Sequence, residues 1–89
     1  MKLNVDISHD FFDDAGVAVT HEGQDVTAAF ANDIPQPVKA KVTVVNGPGG
    51  GNPCIELDFL DEDHAWEWFS NSYMPDEFAA DEFEHHIAA

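Results

Sequence analysis

The chain has 89 residues, of which 18 are Asp or Glu, three are Lys and none is Arg, so its formal net charge is −15. Residues 1–89 are expected to form one domain with a small core, because a chain this short buries only about 60–65% of its unfolded surface. The hydrophobic content of 44% is too high for a disordered acidic tail. So negative a chain is repelled by anionic lipid and by nucleic acid, which disfavours both as direct ligands. With no long apolar run and no leader-like N-terminus, the sequence predicts a soluble, cytoplasmic protein.

The negative charge is concentrated at the C-terminal end. Residues 61–89 contain nine acids and no Lys, whereas residues 38–60 contain two acids and two Lys. A charge of this size exceeds what solubility requires and adds self-repulsion to the folded state. It indicates one of two uses, binding to a strongly positive partner or hydration in a very salty cell, and the sequence favours the first.

The middle of the chain has the pattern of a β-hairpin. Apolar residues alternate with polar ones on both sides of a loop at residues 46–53, which is the period of a strand. Folding the chain about the loop predicts the pairs Val44–Ile55, Val42–Leu57, Ala40–Phe59 and, on the outer face, Lys41–Asp58. The loop resembles a phosphate-binding turn only in its glycines, because a strand follows it rather than Lys, Ser or Thr and a helix. It is predicted to be a flexible connection.

The N-terminal third is less clearly patterned. Leu3, Val5 and Ile7 alternate with polar residues and predict a further strand. Residues 16–27 are predicted to form a second hairpin that turns at residues 21–24. Residues 28–34 fit either a short helix or the continuation of a strand, since two prolines close by end a helix.

Two helices are predicted to finish the chain. Asp61 has the character of an N-cap, and the apolar residues after it recur at helical spacing. That stripe consists of Ala65, Trp66, Phe69 and Tyr73, with Trp68 at its edge.

Residues 76–87 are predicted to form the last helix. Its apolar stripe consists of Ala79, Ala80, Phe83 and Ile87, and Glu77, Asp81 and Glu84 follow the opposite side at i, i+4, i+7 spacing. Phe78 lies nearer the acids than the apolar stripe. For Phe78 and Trp68 the pattern leaves two interpretations open, packing at the rim of the core or an exposed anchor for a partner.

No catalytic, cofactor or metal site is predicted, so the chain is not expected to be an enzyme. His85 and His86 are adjacent and point about 100° apart on a helix, which is a poor arrangement for sharing an ion. His9 and Asp13 would share a helix face only if a helix forms there. Cys54 lies near Glu56 in a negative chain, which raises a thiol pKa rather than activating the thiol.

The predicted fold is α+β, an antiparallel sheet of four or five strands with one or two C-terminal helices packed on one face. The order of hairpin, glycine turn, strand and Asp-capped helix carrying Trp66-Glu67-Trp68-Phe69 resembles small phage-encoded inhibitors of bacterial defence, anti-CRISPR proteins in particular. The resemblance covers residues 38–73 and lies in length, composition and element order. It implies inhibition in the host cytoplasm by occupying a basic nucleic-acid-binding surface of a defence nuclease or effector complex.

The residues predicted to contact such a partner are the acids and two aromatics of the last third of the chain. They are Asp61, Glu62, Asp63, Glu67, Trp68, Asp76, Glu77, Phe78, Asp81, Glu82 and Glu84. Three alternatives stay open: an immunity protein or antitoxin for a basic nuclease, a salt-adapted domain without such a partner, and a phage structural or assembly protein. Monomer and homodimer are both compatible with the sequence.

Overall fold

A computed structural model of the protein describes residues 1–31, 40–46 and 52–88. Its elements in chain order are β1 (Lys2–Asp6), α1 (His9–Ala15), a 3₁₀ helix (Thr27–Phe30), β2 (Ala40–Val44), β3 (Cys54–Phe59), α2 (Glu62–Trp68), a π-helical segment (Phe69–Tyr73) and α3 (Ala79–His86). The fold is α+β, as predicted. No helix in the described ranges is long and apolar enough to cross a membrane.

The sheet has β3 at its centre, with β1 and β2 antiparallel on either side. The hairpin register is the predicted one: the structure pairs Val44 with Ile55, Val42 with Leu57, Ala40 with Phe59 and Lys41 with Asp58. Side-chain alternation is sufficient to fix this register, because a slip of one residue would turn every buried side chain to solvent. Of the predicted flexible loop at residues 46–53, residues 47–51 lie outside the described residues.

The prediction of four or five strands was wrong for the described part of the chain, where the sheet has three. Irregular segments take the place of further strands and cover both edges. Along β2, the Gly23 N–H donates to the Val44 carbonyl at 2.8 Å and the Val26 N–H to the Val42 carbonyl at 2.9 Å. Along β1, the Ala88 N–H donates to the Lys2 carbonyl at 2.8 Å. Covered edges are protected against pairing with other chains.

The predicted second hairpin over residues 16–27 does not form, because Gly16 ends helix α1 and residues 17–20 form no strand. Ser8 caps α1 by accepting the Asp10 N–H, and Gly16 ends it in the left-handed conformation with φ of 75°. The Gln24 amide then holds the following turn together through bonds to Thr20 and Ala18. Residues 27–30 form a 3₁₀ helix rather than a strand, and residues 32–34 lie outside the described residues.

The π-helical segment that follows α2 brings Tyr73 against Trp68. Ser70 Oγ donates to the Trp66 carbonyl at 2.8 Å and Asn71 Nδ2 to the Glu67 carbonyl at 2.7 Å. These bonds compete with the α-helical ladder, and the Met74 N–H reaches back five residues to the Phe69 carbonyl. In an α-helix, positions five apart point about 140° from each other. The wider turn instead stacks Trp68 on Tyr73, with ring centroids 5.7 Å apart.

All of the helices pack on one face of the sheet, as predicted. The buried face of the sheet meets Phe12 of α1, Phe30 of the 3₁₀ helix, Phe69 of the π-helical segment and Phe83 of α3 in one core cluster. The opposite face of the sheet is polar, and none of the helices in the described residues packs on it, which is common for antiparallel sheets. The molecule therefore has a helical side and an open-sheet side with different electrostatic character.

Candidate partner-binding surface

The acids of α2 that were predicted as contacts lie on its solvent side. Glu62, Asp63 and Glu67 are exposed, while Ala65 on the opposite side of the helix is fully buried. Asp63 and Glu67 are four residues apart and therefore lie one above the other. The helix thus presents a short row of carboxylates to solvent.

Asp61 and Asp76 are exposed but have structural roles. Asp61 Oδ1 accepts the His64 N–H at 2.9 Å at the start of α2, which confirms the predicted N-cap. Asp76 Oδ1 accepts the Phe78 N–H at 2.8 Å in the turn before α3. The last helix is consequently shorter than predicted, with α-helical geometry from Ala79 to His86 rather than over residues 76–87.

Replacing Asp61 by alanine is expected to lower the free energy of unfolding by about 1 kcal/mol, because the cap on α2 is lost. Glu67→Ala is the matched control, since it removes the same charge from the last turn of the same helix, where a negative group is unfavourable. Chemical denaturation of both variants checks this. Equal destabilisation by the two changes would contradict a capping role for Asp61.

An acidic row begins at Glu77 in the turn before α3 and continues with Asp81 and Glu84 on the helix, away from its buried side as their spacing predicts. Glu77, Asp81 and Glu84 are exposed, whereas Ala79 and Phe83 are 5% and 7% exposed. Glu82 is half-buried at the border of the two sides, and Ala80 and Ile87, predicted as core, are exposed. The three exposed carboxylates form the most regular acidic row in the described part of the chain.

Phe78 is exposed beside this acidic row. Its side chain is 57% exposed, and its ring contacts no other aromatic ring among the described residues. Its backbone is held on both sides, because the Phe78 N–H donates to Asp76 and the Phe78 carbonyl accepts the Glu82 N–H at 3.0 Å. Of the two interpretations left open by the sequence, the structure favours an exposed position.

Trp68 belongs to the core, so the interpretation of this residue as an exposed anchor was wrong. Its side chain is 6% exposed and packs against Phe30, Phe59 and Tyr73. Trp66, predicted as core, is 38% exposed, with its ring edge on Phe83 at 5.2 Å between centroids. The signal for this exchange lies in the spacing itself, because Ala65, Trp68 and Phe69 follow the i, i+3, i+4 pattern of one helix face.

The described lysines lie on the opposite side of the molecule. Lys41 stands across from Asp58 on the open face of the sheet, and Lys2 Nζ lies 3.5 Å from Glu56 Oε1 on the same face. Lys39 lies outside the described residues. In the described residues, the helical side therefore carries carboxylates and no lysine. Helix α1 adds the exposed Asp10, Asp13 and Asp14 to this side.

The single thiol is not activated. Burial raises the pKa of Cys54, and the Asp6 carboxylate across the strand pair raises it further through its charge and a hydrogen bond. The direction agrees with the sequence argument, although the responsible neighbour is Asp6 rather than Glu56. A raised pKa disfavours the thiolate that nucleophilic chemistry needs.

The histidines of the described residues do not form a shared site. In this part of the chain no group of three or more His, Cys, Asp or Glu side chains is placed to hold a metal ion. His64 Nδ1 lies 2.9 Å from Asp61 Oδ1, an ion pair when the ring is protonated. His86 Nδ1 donates to the Asn4 carbonyl at 3.0 Å and helps to cover the edge of β1.

Comparison with known proteins gives no match: no family model, no curated protein and no solved structure matches the chain.

Proposed function

We propose that the protein is an acidic inhibitor that occupies a basic, nucleic-acid-binding surface of another protein. The observation that carries the proposal is the absence of lysine from the helical side in the described residues. The exposed carboxylates of α2 and α3 lie on the helical side, and the described lysines lie on the open sheet. A basic channel would meet carboxylates there without lysines to repel it.

The density of negative charge is the reason that the proposed contact includes both α2 and α3. Helix α3 has eight residues and spans about 12 Å. Its three carboxylates give one charge per about 4 Å, whereas duplex DNA has roughly one per 1.7 Å of its axis. Adding Glu77 before α3 and the acids of α2 brings the helical side closer to the density of a duplex. The proposed contact is therefore the surface of both helices.

Long-range attraction follows from this arrangement. Basic nucleic-acid-binding channels attract polyanions over a distance set by the ionic strength, about 8 Å at physiological salt. Binding by this surface should therefore be fast at low salt and weaken as salt rises. The same electrostatics serve an immunity protein for a basic nuclease, which differs in having one dedicated partner.

Capture followed by selective elution tests the proposal. The chain is immobilised, exposed to a bacterial lysate at low salt, and washed with duplex DNA at constant ionic strength. The expected result is release of one or a few nucleic-acid-binding proteins by DNA, and no release by an uncharged polymer. Retention of nothing, or of proteins that DNA does not release, would contradict the proposal.

Salt adaptation without a partner makes a different prediction about folding. A salt-adapted domain would require molar salt to fold, because screening would be needed to offset its self-repulsion. The proposed inhibitor instead folds at the ionic strength at which it binds. Thermal melting between low and molar salt separates the two.

A further inference from the structure

We infer that Phe78 is an aromatic anchor that inserts into an apolar pocket bordered by Lys or Arg on the protein partner. The inference rests on the proposed function and makes it more specific, because it requires a shaped protein pocket and not only a track of positive charge.

The first observation is the exposure of the ring. At 57% exposure, Phe78 leaves most of a large apolar side chain in water, although burying a phenylalanine would stabilise the fold. The apolar side of α3 is already occupied by Ala79 and Phe83, which are buried. The fold therefore draws little stability from the Phe78 ring.

The second observation is that the ring is presented from a fixed backbone. The Asp76 carboxylate holds the Phe78 N–H at 2.8 Å, and the Phe78 carbonyl bonds to the Glu82 N–H at 3.0 Å. A side chain on a fixed backbone loses less entropy on binding than one on a free loop, which favours its use as an anchor.

The third observation is the charge beside the ring, which identifies the occupant. Glu77, Asp81 and Glu84 are exposed on the same turn and helix. On a neutral partner these carboxylates would lose hydration without gaining a counter-charge. On an acidic partner they would be repelled. A pocket bordered by cations instead matches both the ring and its surroundings. Aromatic residues at the centre of such contacts carry a large share of binding energy.

Two probes test the inference: poly-L-lysine, which offers charge without a pocket, and the protein that duplex DNA releases from the immobilised chain. Phe78→Ala is expected to weaken binding to the released protein about 30-fold or more, chiefly through faster dissociation, and to leave binding to poly-L-lysine within about twofold. Val45→Ala is the control, because Val45 is an exposed apolar residue at the end of β2, 44% exposed. It should change neither affinity.

The melting temperature is measured on the same variants and should be unchanged by Phe78→Ala. A large fall would show that Phe78 supports the fold and would overturn the inference, as would equal affinity of variant and wild type for the released protein.

If Phe78→Ala binds normally and still competes with DNA, the anchor is wrong and the proposed function stands. If Phe78→Ala weakens binding to a partner that holds DNA at the same time, the anchor stands and the proposed function is wrong. Failure of the chain to retain any protein overturns both.

Discussion

Replacing Trp68 by alanine is expected to lower the free energy of unfolding by about 3–5 kcal/mol. The side chain is 6% exposed and lies between Phe30, Phe59 and Tyr73, so its removal leaves a cavity among three aromatic rings. A domain of this size has a net stability near the lower end of about 5–15 kcal/mol. The variant should therefore be largely unfolded at moderate temperature, which chemical denaturation and near-ultraviolet circular dichroism measure.

Trp66→Ala is the matched control for this prediction. Trp66 is 38% exposed and has one ring contact, with Phe83, so its loss should cost only about 1–2 kcal/mol. Trp68→Phe serves as a milder variant, because it retains a ring and removes an indole N–H that is buried without a hydrogen-bond partner in the described residues. A larger loss for Trp66→Ala than for Trp68→Ala would contradict the buried position of Trp68.

Reversing three charges, with Glu77→Lys, Asp81→Lys and Glu84→Lys in one variant, is expected to weaken partner binding roughly 100-fold at low salt, or about 2.7 kcal/mol. These carboxylates are exposed and point away from the buried side of α3, so the change should act on binding and spare the fold. Most of the effect should appear as slower association, because long-range attraction steers the encounter. Binding kinetics over a range of salt concentrations measure it.

The matched control reverses the same number of charges elsewhere on the helical side. Asp10, Asp13 and Asp14 are exposed on α1, and changing all three to Lys gives the same net charge. The control should lose far less affinity, because α1 lies outside the proposed contact. Equal losses would mean that net charge alone governs binding and that α2 and α3 have no special role.

The sequence was most informative where side-chain period and charge agree. In the hairpin, Val42 and Leu57 require the same register as Lys41 and Asp58, and the structure has that register. The exposure of Asp81 and Glu84 was equally predictable, because helical spacing alone places them away from Phe83, whereas Glu77 precedes the helix. Both patterns are local, so they are not altered by how distant segments pack.

The errors have identifiable physical causes. Gly16 was assigned to a strand because the alternation after it looks like one, although Ser8 and Gly16 frame a helix with a cap at each end. Trp68 was placed at the edge of a stripe that included Trp66, although Ala65, Trp68 and Phe69 lie at i, i+3, i+4 spacing on one helix face and are all buried. Single bridges between backbones, such as the one between Asp25 and Thr43, take the place of the further strands that were predicted. A periodic sequence pattern gives no sign of such bridges.

The central claim is that the carboxylates of α2, α3 and the turn before α3 take the place of nucleic acid on a basic protein surface, and displacement of DNA tests it most directly. A fluorescent duplex is bound to the protein recovered by capture, and the unlabelled chain is added at physiological salt. The account predicts complete release of the duplex as the chain saturates its partner, with no species that contains both. A stable complex of duplex, partner and chain together would contradict it.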